Sequence, residues 1–112
     1  MGKFVIEETG EVYFRRNCTI QDRKNPVREF TYQGNKVGLN ISVDMPMKFF
    51  DGARVRPVDI VCFNQTAIEG ILKKKFKKGD RVVVYLRQTE RDDGRKGLAI
   101  DSEEDIEKFK PI

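Results

Sequence analysis

The chain has 112 residues, 38% of them hydrophobic and 36% charged, which fits one domain with a thin core under a heavily charged surface. Its net charge of +4 is uneven: residues 101–112 hold five acids and two lysines, net −3, leaving +7 on the first 100 residues, a basic body suited to a polyanion. No apolar run approaches the roughly 20 residues of a membrane span, the N-terminus has no apolar signal core, and histidine, the commonest general base and zinc ligand, is absent.

In chain order, residues 3–14 are β-prone and predict a first strand. Residues 15–29 are polar and broken by Asn25-Pro26, which predicts a loop or a bent excursion. Phe30–Tyr32 resumes a strand, and Gln33-Gly34-Asn35-Lys36 is a turn sequence. Val37 to Met45 alternates, with Val37, Leu39, Ile41 and Val43 against Gly38, Asn40, Ser42 and Asp44, the pattern of a half-buried strand that Pro46 is expected to end. Met47 to Arg56 is then a long hairpin connection turning at Asp51-Gly52. A strand over 57–63 carries Val58, Ile60 and Cys62 on one face and Asp59, Val61 and Phe63 on the other.

Asn64 is placed to cap a helix from about Gln65 to Phe76, with Ala67, Ile68, Ile71 and Leu72 at helical spacing. Lys73, Lys74 and Lys75 suit its C-terminal end, and Gly79 its stop. Arg81–Thr89 is a strand, Asp92-Asp93-Gly94 a turn, and Lys96–Asp101 a return strand. Ile106 to Ile112 reads either as a last strand or as a tail. Cys18 and Cys62 sit among apolar or β-branched residues and are expected to be buried free thiols.

The run from Asp59-Ile60-Val61-Cys62-Phe63 through the helix to Lys77-Lys78-Gly79 and the Val-rich strand Val82-Val83-Val84, preceded by Val37-Gly38-Leu39-Asn40-Ile41-Ser42-Val43, resembles the bacterial-type single-stranded DNA-binding protein (SSB) family over residues 37–100. That resemblance selects one architecture among the small barrels the pattern allows: an all-β, five-stranded OB-fold barrel with one short helix between strands 3 and 4, filling residues 1–112 as a single domain. It departs from the family at Pro57, where an aromatic is usual, and near Leu86, where a glycine is usual. It also lacks the family's Gly- and Pro-rich tail, which points to a phage or mobile-element version or a specialised paralogue.

The resemblance implies a stacking role for Phe63, and strand parity points it away from Val58, Ile60 and Cys62; the plainer alternative is a core ring. In the 47–56 hairpin, Phe49 with Lys48, Arg54 and Arg56 is the second candidate, with Phe50 assigned to capping the barrel. Arg87, Arg91, Arg95 and Lys96 surround the turn between the last two strands, which the family uses as a basic finger; the alternative is a solvated hairpin. Arg15 and Arg16 are expected to line the same groove. The lysines at 73–75, 77 and 78 read as solvation of the helix end, and Glu103-Glu104-Asp105 as an exposed acidic run rather than a magnesium site.

The leading expectation is a cytoplasmic, non-enzymatic protein without cofactor or metal that coats single-stranded DNA, without strong sequence preference, in replication, recombination or repair. A protein-interaction barrel of the primosome-adaptor kind, contacting replication proteins, and an RNA-binding barrel stay open beside it. A homo-oligomer, dimer or tetramer, is expected, with Ile106, Phe109 and Ile112 in its interface, and no membrane contact.

Overall fold

The computed structural model of the chain describes residues 3–6, 11–49, 52–90 and 96–109. These described residues form eight strands: β1 (Lys3–Ile6), β2 (Glu11–Ile20), β3 (Val27–Tyr32), β4 (Lys36–Phe49), β5 (Gly52–Cys62), β6 (Arg81–Glu90), β7 (Lys96–Ala99) and β8 (Ile106–Lys108). One helix, α1 (Gln65–Lys73), lies between β5 and β6. Strands β2, β4, β5, β7 and β6 are hydrogen-bonded in that order, and β6 returns to β2, which closes a five-stranded barrel. β5 and β7 are parallel and the other barrel pairings antiparallel. This is the OB fold expected, with the helix between the third and fourth barrel strands. β1, β3 and β8 are added outside, on β2, β4 and β6.

Alternation builds the interior. Leu39, Ile41, Val43 and Met45 of β4, Ile60 and Cys62 of β5, Val82, Val84 and Leu86 of β6, and Cys18 and Ile20 of β2 all point inward and are buried. Helix α1 adds Ala67, Ile68 and Ile71 to the same core. Its start follows the sequence: Asn64 is extended, and its side chain accepts the Ala67 N–H. Both cysteines are buried and free. Burial pushes the Cys18 thiol up to about 12 and also raises that of Cys62.

Several boundaries differ from the sequence expectation. The first stretch is two antiparallel strands, with Phe4 opposite Tyr13, rather than one. β2 then continues to Ile20, where a loop was expected, because Cys18 and Ile20 alternate inward while Arg15, Asn17 and Thr19 take the outer positions. β3 likewise starts at Val27, whose side chain packs against the core, rather than at Phe30. Pro46 does not end β4: it pairs with Val55, and β4 and β5 run on together as a two-stranded arm to Phe49 and Gly52. β2 has left β4 by Asp44, so the proline lies on an open edge, where a missing N–H is tolerated.

The helix stops at Lys73 instead of Phe76. Lys75 turns into the left-handed region, and Phe76 folds back against the core. Gly79, at φ +85°, serves the turn before β6, where its N–H donates to Ile20 O. At the C-terminus the strand alternative holds over Ile106–Lys108, but the interface role given to Ile106 does not. Ile106 is fully buried in this chain's own core and pairs with Val84, so it is not available to an interface between copies.

Candidate nucleic-acid interface

The registers of β3, β4 and β5 arrange their outward side chains in rows. Phe30 lies opposite Gly38, and Phe63 follows Cys62, the partner of Leu39, so Phe30, Gly38 and Phe63 form one row. Tyr32, paired with Lys36, lies on the outer side of that row. Arg28, Asn40 and Val61 form the next row, and Ser42 with Asp59 the one after. Successive rows are two residues apart, about 6.7 Å along a strand.

The first row is an aromatic cluster. Phe63 meets Tyr32 edge-on with ring centroids 5.0 Å apart, and Phe30 edge-on at 6.0 Å; Phe30 and Tyr32 are 6.0 Å apart and tilted. Phe63 remains 45% exposed. Gly38 is the floor: a Cβ there would come within 2.6 Å of the Phe30 ring, so only glycine lets the ring lie flat against the strand. Sequence reasoning singled out Phe63 but missed Phe30 and Tyr32. The available signal was alternation in Arg28-Glu29-Phe30-Thr31-Tyr32, which puts both rings on one face.

The rows beside it are polar. Ser42 is fully buried, and its hydroxyl donates to Asp59 Oδ1 at 2.7 Å while accepting from Arg28 at 3.0 Å and Asn40 at 3.4 Å. Asn40 also donates to Asp59 Oδ1 at 3.2 Å, and the Arg28 guanidinium lies 3.9 Å from the same oxygen. The Ser42 hydrogen bond, helped by Asn40 and Arg28, holds the Asp59 carboxyl below the usual carboxylate range. Asp59 is therefore held as an anion on a face that also carries the ring cluster, the Arg28 cation, the polar Asn40 and Ser42, and a second acid, Asp44.

The predicted cations are scattered. Arg54 and Arg56 are exposed on the β4–β5 arm, but their parity is that of Ile60 and Cys62, opposite to Phe63. Arg15 lies on the outer face of β2, opposite Tyr85. Arg16 takes the inward parity, and its guanidinium sits 5.5 Å over the Phe14 ring. Arg87 grips Asp101 through two hydrogen bonds of 2.9 Å, tying β6 to the segment after β7. Lys48, Phe49 and Lys96 are placed in strands by their backbones; Arg91 and Arg95, like Phe50 and the Asp92-Asp93-Gly94 turn, lie outside the described residues.

Lys74 departs from the solvated run assigned to it. Its ammonium donates to the carbonyls of Glu103 and Ile106, strapping the C-terminal segment to the helix. Glu103–Asp105 is a 3-10 turn capped by Ser102, with the Asp105 carboxylate accepting from the Asp101 and Ser102 N–H groups.

No protein-family profile and no curated protein sequence matches the chain. Solved structures do. It is similar to the mitochondrial single-stranded DNA-binding protein of S. cerevisiae, with a TM-score of 0.61 at 20% identity over 89% of this chain and 97% of that one. It is also similar to a small single-stranded DNA-binding protein from Streptomyces coelicolor, with a TM-score of 0.57 at 13% identity over 88% and 93%. A third is the Plasmodium falciparum SSB in complex with single-stranded DNA, with a TM-score of 0.51 at 13% identity over 91% and 92%. The chain thus has the OB fold in the form these single-stranded DNA-binding proteins share.

Proposed function

We propose that this protein binds single-stranded DNA on the outer face of β3, β4 and β5, as a binding module rather than a catalyst. The observation that carries the reading is the Phe30, Tyr32 and Phe63 cluster, three rings gathered on a sheet face with Phe63 left 45% exposed. Burying such rings inside would add core; holding them on a strand surface offers a platform on which unpaired bases stack, each stack being worth about 1–3 kcal/mol. The structural neighbours support it, since each is a single-stranded DNA-binding protein and one is in complex with its DNA.

Phosphate contacts are assigned to Arg15 and Arg16 on β2, to Lys48, Arg54 and Arg56 in the sequence of the arm, to Arg91 and Arg95 in the sequence between β6 and β7, and to Lys96 at the start of β7, with Phe49 as a further stacking ring. Arg87, held by Asp101, is assigned to positioning that hairpin. The role is to protect or organise exposed strands in replication, recombination or repair. A titration of fluorescent oligo-dT against salt tests this. Binding should weaken with a log–log slope near −0.7 per phosphate contact. Absence of binding at low salt overturns the reading, and tighter binding of a matched RNA oligomer moves it to RNA.

Self-association belongs to the same reading. Among the described residues, β1 and β3 each pair on one side only, and an open strand edge is a template for pairing with a second copy. Light scattering at micromolar concentration should give a dimer or tetramer mass; a monomer mass would overturn this part alone.

A further inference from the structure

The Asp59 carboxylate lies two rows from the stacking ring on the face proposed for a polyanion. It repels phosphate, so a carboxylate held in place there asks for another use. Its geometry supplies one. Oδ1 is fully engaged, by the Ser42 hydroxyl and the Asn40 amide, with Arg28 alongside. Oδ2 takes no hydrogen bond from any described residue, and the side chain is 52% exposed. The network therefore fixes the carboxylate in one orientation and leaves one strong acceptor facing outward, two rows from Phe63 along the same strand.

From this we infer that Asp59, oriented by Ser42 and Asn40, reads the Watson–Crick edge of a base lying next to the stacked ones, and that it favours bases carrying an exocyclic amino group over thymine. The inference rests on the single-stranded DNA reading and adds a base preference to it. Guanine offers N1–H and N2–H side by side, cytosine N4–H and adenine N6–H, all donors for a carboxylate oxygen. Thymine's one edge donor, N3–H, sits between two carbonyl oxygens that a carboxylate repels. Arg28 strengthens the discrimination, because its guanidinium lies beside Asp59 and suits the acceptor next to the amino group on cytosine or adenine, N3 or N1.

The experiment is a competition at neutral pH between labelled oligo-dT and unlabelled strands of the same length, either all thymine or with single, isolated thymines replaced by cytosine or guanine. The full-length protein should bind the substituted strands at least about fivefold tighter than oligo-dT, the scale of one well-made base contact. Asp59→Asn should remove that ratio. Ser42 and Asn40 are donors at the Oδ1 site and so keep the amide oxygen there, which puts an N–H where Oδ2 was. The preference should then fall to unity or turn toward thymine, while oligo-dT itself binds more tightly because a negative charge has left the face.

Equal binding of all strands by the wild-type protein overturns the inference with no variant needed. So does a preference that survives in Asp59→Asn with an unchanged melting temperature, since stacking strength would then be its source. Failure to bind any strand at low salt overturns the underlying single-stranded DNA reading instead.

Discussion

Strand β5 has two faces, and they are built to different rules. Inward, Ile60 and Cys62 are fully buried and Val58 packs against the core. Outward, the strand shows Asp59 and Val61, and Phe63 follows just past its end: an anion, an aliphatic and a ring, with the ring nearly half exposed. The inner set is interchangeable in kind, since any apolar residues of the right volume would fill a barrel. The outer set is not explained by volume at all. Asp59 is organised by three neighbours on two strands, and Phe63 by two rings on β3. Order without burial is what a recognition surface requires, so the contrast separates residues that hold the fold from residues that use it.

The largest effect should come from the inner face. Ile60→Ala removes a fully buried side chain from the centre of the barrel and should cost about 2–5 kcal/mol of stability. Thermal unfolding reads it directly. The fraction that stays folded should bind oligo-dT as the wild type does, because Ile60 reaches no part of the outer face. A binding defect per folded molecule would blur the two-face division.

The inner face also predicts an alkaline response. Cys18 titrates near 9 when unfolded and at about 12 in the fold, because burial disfavours the thiolate. Between those values the native state holds a proton the unfolded state has lost, so stability falls as pH rises through that window. The full difference is at most about 4 kcal/mol, from three pH units at 1.36 kcal/mol each. Denaturant unfolding from pH 8.5 to 11 should show a steeper decline for the wild type than for Cys18→Ala. Identical slopes would mean that the thiol meets more water than its burial implies.

The outer face should answer in binding instead. Phe63→Ala should weaken single-strand affinity by about 1–3 kcal/mol while the melting temperature moves little, and Tyr32→Ala should follow it. The converse result, a large loss of stability with unchanged binding, would make the cluster a packing device. Gly38→Ala sharpens the point: its Cβ would press to 2.6 Å of the Phe30 ring, so it should disturb the platform and weaken binding.

The legible part of this chain follows from where period and chemistry agree. β4, β5, the Asn64 cap and β6 were readable because their inward positions within the barrel are unbroken apolar sets and polar or charged residues recur at the outward ones. β2 beyond Phe14 was not, because Arg16 occupies an inward position and hides the alternation that Cys18 and Ile20 continue. Pro46 misled for a related reason: a proline ends a central strand, and the sequence does not say that β4 has become an edge by then. At the candidate site, Phe63 was readable from parity on a single strand. Phe30 and Tyr32 were not placed beside it, since that needs the β3–β4 register, and Gly38 acquires its meaning only once Phe30 lies over it. The Lys74 strap and the Arg87–Asp101 pair are long-range polar contacts of the kind that no local pattern announces.

The smallest effect returns to Asp59 and tests whether its network is ordered in the free protein. Hydrogen bonds from Ser42 and Asn40 lower its pKa below the ordinary 3.8. In the window between the lowered folded value and 3.8, the unfolded chain binds the proton first, so stability contributed by Asp59 is complete above about pH 4 and is lost as pH falls through that window. The carboxylate is more than half exposed, and solvent screening keeps the contribution under about 1 kcal/mol. Ser42→Ala should therefore change stability at neutral pH only modestly, yet raise the Asp59 pKa, read by the carboxyl carbon shift in an NMR titration. A carboxyl that titrates at the same pH in both proteins would show that Ser42 does not hold Asp59 in the free protein. The outward face would then lack, along this strand, the preorganisation that distinguishes it from an ordinary solvated surface.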